Sequence, residues 1–107
     1  MKSFNLSEVT VNRHRKWSDQ TFGPRSERGP VGTLKHLAKE VQETLAEPHD
    51  VEEYADMMFL LMDSLHRAGF DDYDLRLAMD HKMDVLESRV YLPGAKDEPS
   101  EHLREIA

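Results

Sequence analysis

The sequence predicts an all-α fold, a four-helix bundle, and three observations carry that prediction. Apolar side chains recur at three- and four-residue spacing through most of the chain. Helix start and stop residues punctuate those stripes where a bundle needs them. Alternating runs of β-branched and aromatic residues, the mark of strands, do not extend beyond a few positions. At 107 residues the chain has room for one domain, 1–107, with a polar tail from about Lys96. A core of that size gives modest stability, so association of copies is expected.

The first helix is expected over Leu6 to Gln20, with Leu6, Val9 and Trp17 on its apolar side, although Val9, Thr10 and Val11 weaken its propensity. Thr21 to Gly32 holds three glycines and two prolines and reads as a long loop. Loops of that length in compact domains often carry function. The second helix is expected to start at Thr33 as N-cap and to stop before Pro48, with Leu34, Leu37, Ala38, Val41 and Leu45 as its stripe. Asp50 suits the cap of a third helix, Val51 to Ala68, with Glu53 at capping-box spacing and Gly69 as its left-handed stop. A fourth helix opens at Asp71 or Asp72 and runs to about Arg89, before Pro93 and Gly94. Ser100 to Ile106 reads as a short last helix.

Charge and composition narrow the function. With 21 acidic against 14 basic side chains the formal charge is -7, which disfavours a nucleic acid polymer as partner. An anionic small substrate would need a cation or a local basic cluster. No cysteine is present, so disulfides and thiolate metal sites are excluded. No apolar run approaches the roughly 20 residues that span a bilayer, and Met1 to Glu8 lack the features of a secretory signal. A cytoplasmic protein without a membrane partner is expected.

The acids of the second and third helices carry the chemistry. His36, Glu40, Glu43 and Glu47 share a narrow arc opposite the Leu34 to Leu45 stripe. Alone, that arc reads as a solvated face. The third helix changes the balance, because Met57 to Met62 surround its middle with apolar side chains while Glu53, Asp56 and Asp63 fall on one side. Charges on an enclosed helix are costly unless paired or metal-bound. The connection Leu45 to Val51 is short enough to make the two helices antiparallel neighbours, so Glu40 and Glu43 come near Glu53 and Asp56. Four converging carboxylates without a basic partner call for a hard divalent cation, Mg²⁺ or Mn²⁺.

Glu40-Val41-Gln42-Glu43 and Glu53-Tyr54-Ala55-Asp56 form E-x-x-E followed by E-x-x-D. With that pair the chain resembles the MazG-type all-α nucleoside triphosphate pyrophosphohydrolases. It is most similar to the small dATP/dGTP pyrophosphohydrolase branch, on Trp17, Thr21 to Pro24, Arg28-Gly29-Pro30, His36 to Glu40, Arg67-Ala68-Gly69, Lys82, Arg89 and Pro93. The resemblance covers roughly Trp17 to Pro93. It implies hydrolysis of a nucleoside triphosphate, dATP or dGTP, to monophosphate and pyrophosphate, with Glu40, Glu43, Glu53 and Asp56 as catalytic metal ligands. It also implies a homodimer or homotetramer. Only nine residues separate Glu43 from Glu53, fewer than in many members of the wider superfamily.

Around the acids stand candidate substrate contacts. Lys82 and Arg89, seven apart on the fourth helix, suit a triphosphate. Trp17 and Phe22 flank the loop and suit either stacking on a base or packing of the first helix. His36 shares the arc of Glu40 and Glu43, and no spaced partner histidine supports a zinc site. Asp63 is an extra metal ligand or an acceptor behind the ligands, and Lys39 and Arg67 suit pairing with nearby acids. The alternatives are a pyrophosphohydrolase of another nucleotide and a non-catalytic helical dimerisation module.

Overall fold

The computed structural model describes residues 8–103, so Leu6 and the end of the expected last helix lie outside the described residues. The order is α1 (Glu8–Phe22), α2 (Val31–Ala46), α3 (Val51–Arg67) and α4 (Asp72–Glu87). Among the described residues there is no strand, and an isolated antiparallel bridge joins Tyr91 to His102. The chain divides into two compact units, Met1–Asp71 and Asp72–Ala107.

In the first unit, α1 and α2 both pack on α3. Their directions follow from which residues meet. Thr44 Oγ1 lies 3.5 Å from Met57 Sδ, while Ser64 Oγ donates to Thr33 Oγ1 at 2.7 Å, so α2 and α3 run antiparallel. His14 stacks on Phe59 and Ser18 meets Asp63, so α1 runs parallel to α3. The buried side chains at these seams are Ser18, Thr44, Asp63, Ser64 and Arg67, and no hydrophobic residue is buried to that degree among those described. Small hydroxyl side chains let the backbones approach, and each buried hydroxyl has a partner, as burial requires.

The helix ends show which local signals prevail. Asp50 caps α3, its carboxylate accepting from Glu52 N–H at 3.0 Å, and Gly69 takes φ +96° after it. Thr33 does not cap α2. Pro30 stands there with helical φ of -81°, a value its ring supplies, and Thr33 Oγ1 donates to Pro30 O at 2.9 Å instead of accepting from a helix N–H. The loop between α1 and α2 is therefore shorter than Thr21 to Gly32.

In the second unit, α4 ends at Glu87, where Ser88 Oγ donates to Val85 O at 2.6 Å. Arg89 lies beyond the helix. The expected helix over Ser100 to Ile106 is not formed in its described part: Leu92 N–H donates to Glu101 O at 2.7 Å and Leu103 N–H to Val90 O at 2.6 Å. That pairing uses the backbone groups that a helix there would need.

Candidate active site

Glu40 and Glu43 lie one turn apart on α2, and Glu53 lies near the start of α3, so the antiparallel hairpin folds one face of each helix onto the other. Glu40, Glu43 and Glu53 each bring a carboxylate oxygen within 4.8 Å of the other two. Asp56 is not among those three; one turn after Glu53, its charge acts on both Glu40 and Glu53. Glu40 Oε2 and Glu53 Oε2 are buried without a hydrogen-bond partner. His36 Nε2 lies 3.2 Å from Glu40 Oε1 and is a basic group beside the cluster.

The electrostatics are those of crowded acids. The Glu40 carboxyl is held above its ordinary 4.5 by its side-chain hydrogen bond with Glu43, then by desolvation and by the charges of Glu43 and Asp56. Glu53 is also raised, first by desolvation and then by Glu43 and the neighbouring acids. A hard divalent ion fits this donor set: three oxygen donors converge, two orphaned oxygens face no protein donor, and a cation relieves the repulsion that raises the pKa values of Glu40 and Glu53.

Beside the acids is a cavity of about 660 Å³, a size suited to a nucleotide-like ligand. Glu40 and Asp56 line it together with His36, Trp17 and Phe22, so five of the expected site residues share one cavity. Trp17 and Phe22 meet edge to face at 5.4 Å, and His14 lies flat on Phe59 with centroids 4.5 Å apart. Burial lowers the His14 pKa, opposed by the charge of Asp63. The His14 imidazole and three aromatic rings make this wall suitable for a flat heterocycle.

The loop wall is fastened by Arg67. Its Nη1 donates to Gly23 O at 2.9 Å and Arg28 O at 3.0 Å, its Nη2 to Ser18 Oγ at 2.8 Å, and its Nε to Asp63 Oδ2 at 3.3 Å. Arg67 thus pairs with a nearby acid, as its sequence context suggested, and in addition it ties the loop to α3. Gly23, at φ +104°, makes the turn that presents its carbonyl. The sequence does not mark His14, Ser18 and Phe59 as site residues, and it marks Arg28 only through the family likeness and Thr33 only as a helix cap. For His14 a signal existed, since it sits three residues before Trp17 on one helix face; for Ser18 there was none. Lys82 and Arg89 belong to the second unit, where Arg89 N–H donates to Leu86 O at 3.2 Å.

The sequence model of the family described as dATP/dGTP pyrophosphohydrolase matches residues 10–107. The chain belongs to that family. It is 46% identical over 93 residues to the Eaa protein of Salmonella phage P22, an alignment covering 86% of this chain and 28% of that protein. The chain therefore spans under a third of that relative's length. Its fold is similar to a cyanophage S-2L MazG-like pyrophosphohydrolase, solved with dGDP and three catalytic Mn²⁺ ions per active site, with a TM-score of 0.72. That match has 22% identity and covers 94% of this chain and all of the other. It bears out the all-α, MazG-type fold. Among the described residues no helix is long and apolar enough to cross a membrane.

Proposed function

We propose that the chain hydrolyses a purine deoxynucleoside triphosphate, dATP or dGTP, to the monophosphate and pyrophosphate, with Glu40, Glu43, Glu53 and Asp56 holding Mg²⁺ or Mn²⁺. One observation carries this reading: three carboxylate oxygens converge within 4.8 Å, and one of their owners, Glu40, also lines an aromatic-walled cavity. Family membership supports the reaction and the purine preference. The cation would neutralise phosphate charge and make water acidic enough to attack near neutral pH.

The chain's own residues do the rest. Trp17, Phe22 and Phe59 receive the base and exclude water from it. Water attacks the α-phosphorus, the bond from that phosphorus to the bridging oxygen breaks, and pyrophosphate leaves. Glu43, whose carboxylate oxygen lies within 4.8 Å of those of Glu40 and Glu53, takes the proton of the attacking water. His36 holds Glu40 in place through its 3.2 Å contact. Lys82 and Arg89 are proposed to meet phosphate charge, on their own charge and the family likeness.

A homo-oligomer, dimer or tetramer, belongs to the same reading. Leu34, Val41 and Leu45 on α2 and Tyr54 and Leu61 on α3 are 40–68% exposed. Burying such side chains yields roughly 25 cal/mol per Å² of apolar area, and a second copy is the partner always at hand. The reading is tested by incubating the protein with a panel of deoxynucleoside triphosphates and Mg²⁺ or Mn²⁺ and separating the products. Monophosphate and pyrophosphate from dATP or dGTP are expected; orthophosphate as the primary product refutes it.

A further inference from the structure

Asp63 is 2% exposed and borders the cavity, yet only half of its carboxylate is used. Oδ2 accepts from Ser18 Oγ at 2.6 Å and from Arg67 Nε at 3.3 Å. Oδ1 is buried and has no hydrogen-bond partner among the described residues, while Asp63 borders the cavity. A carboxylate oxygen left in that state is costly unless a donor reaches it. A ligand in the cavity that Asp63 borders can supply that donor.

A cation is less favoured at this point, because Arg67 lies 3.3 Å from Asp63 Oδ2 and offsets much of its charge, while also pairing with Asp19 at 3.7 Å. A heterocycle is the right one, because Trp17, Phe22 and Phe59 border the same space. Asp63 also stands at a fitting distance. Seven residues after Asp56 it lies two turns along the same face of α3, about 10 Å at 1.5 Å per residue. That is comparable to the reach of a nucleotide from its α-phosphate to the far edge of its base.

We propose that Asp63 Oδ1 is a specificity-determining acceptor that takes a hydrogen bond from an N–H donor on the base edge, the exocyclic amine of adenine or the N1–H or amine of guanine. The inference rests on the nucleotide reading above. Asp63→Asn tests it sharply. Arg67 Nε can only donate, so the amide oxygen occupies the place of Oδ2 and the NH₂ group replaces the unpartnered acceptor.

The experiment compares dATP and dGTP with the triphosphate of purine 2′-deoxyriboside, which has no N–H donor on its base edge. For the wild type, KM for the third substrate is expected to be at least about ten-fold higher with kcat changed much less, and Asp63→Asn is expected to erase that ratio. Quenching of Trp17, the single tryptophan, by the three monophosphates without metal gives the same comparison free of turnover. An unchanged ratio in a variant with wild-type helical circular dichroism overturns the proposal. If the variant does not fold, equal affinity of the wild type for all three monophosphates overturns it, and a ten-fold preference for the donor-bearing two supports it. Pyrophosphate release without discrimination sinks this inference alone, whereas neither quenching nor hydrolysis sinks the nucleotide reading with it.

Discussion

Replacing Arg67 by Met keeps the length of the side chain and removes its charge and every donor, so the structure allows the consequence to be sized. The guanidinium and the Asp63 carboxylate are 2% and 3% exposed, and neither is screened by solvent. Arg67→Met leaves a buried carboxylate with Ser18 as its remaining donor and frees the carbonyls of Gly23 and Arg28. Removing one partner of a buried pair costs about 3–5 kcal/mol, a large part of a stability of about 5–15 kcal/mol. Asp63→Asn is milder, because Arg67 retains Gly23 O, Arg28 O and Ser18 Oγ as acceptors. Since each variant removes the charge pairing between the same two side chains, the double variant should cost less than the sum, by about 1–3 kcal/mol. Urea unfolding followed by circular dichroism measures all three. A cost under about 1 kcal/mol for Arg67→Met, or strict additivity, would show that the buried network does not hold the loop to α3.

Three further outcomes follow from the site. Glu53→Gln and Asp56→Asn are each expected to abolish hydrolysis while the metal-free protein stays folded or melts higher, because one charge leaves a crowded cluster; full activity of either variant contradicts its role as a ligand. Glu40 and Glu53 have folded-state pKa values raised above 4.5, so the stability they contribute is fully present below that value and is lost as pH rises through the raised ones. Thermal melts of the metal-free protein should accordingly fall as pH rises from about 4.5, excess Mg²⁺ should reverse the trend, and a flat profile in both conditions speaks against the cluster. Light scattering at micromolar concentration should report a dimer or tetramer, and Leu45→Asp should lower that mass; a monomeric wild type with full activity excludes the interface.

Much of this was legible in the sequence because it is local. The stripe from Leu34 to Leu45, the Asp50 cap and the Gly69 stop each act within a few residues, and α2 and α3 lie where they indicate. The convergence of Glu40, Glu43 and Glu53 was legible for a related reason: acids at i, i+3 on helices joined by a short turn are brought together by the hairpin, although Asp56 is not among the three oxygens that meet. What escaped depends on contacts distant in sequence. Ser18 and Arg67 are 49 residues apart, and nothing near Ser18 marks it as the partner of a buried guanidinium. The end of the chain misled for the same reason, since Leu92 and Leu103 find backbone partners across a turn that local helix propensity does not register. At the start of α2, Thr33 looks like a cap, but Pro30 already has the helical conformation and takes the Thr33 hydroxyl bond.

The central claim is that water attacks the α-phosphorus of a purine deoxynucleoside triphosphate at the cluster of Glu40, Glu43, Glu53 and Asp56. Turnover of dATP or dGTP with Mg²⁺ in ¹⁸O-labelled water, with mass spectrometry of both products, tests it directly. The account predicts one ¹⁸O atom in the monophosphate and none in the pyrophosphate. Label in the pyrophosphate, or labelled orthophosphate with a nucleoside diphosphate, would contradict it.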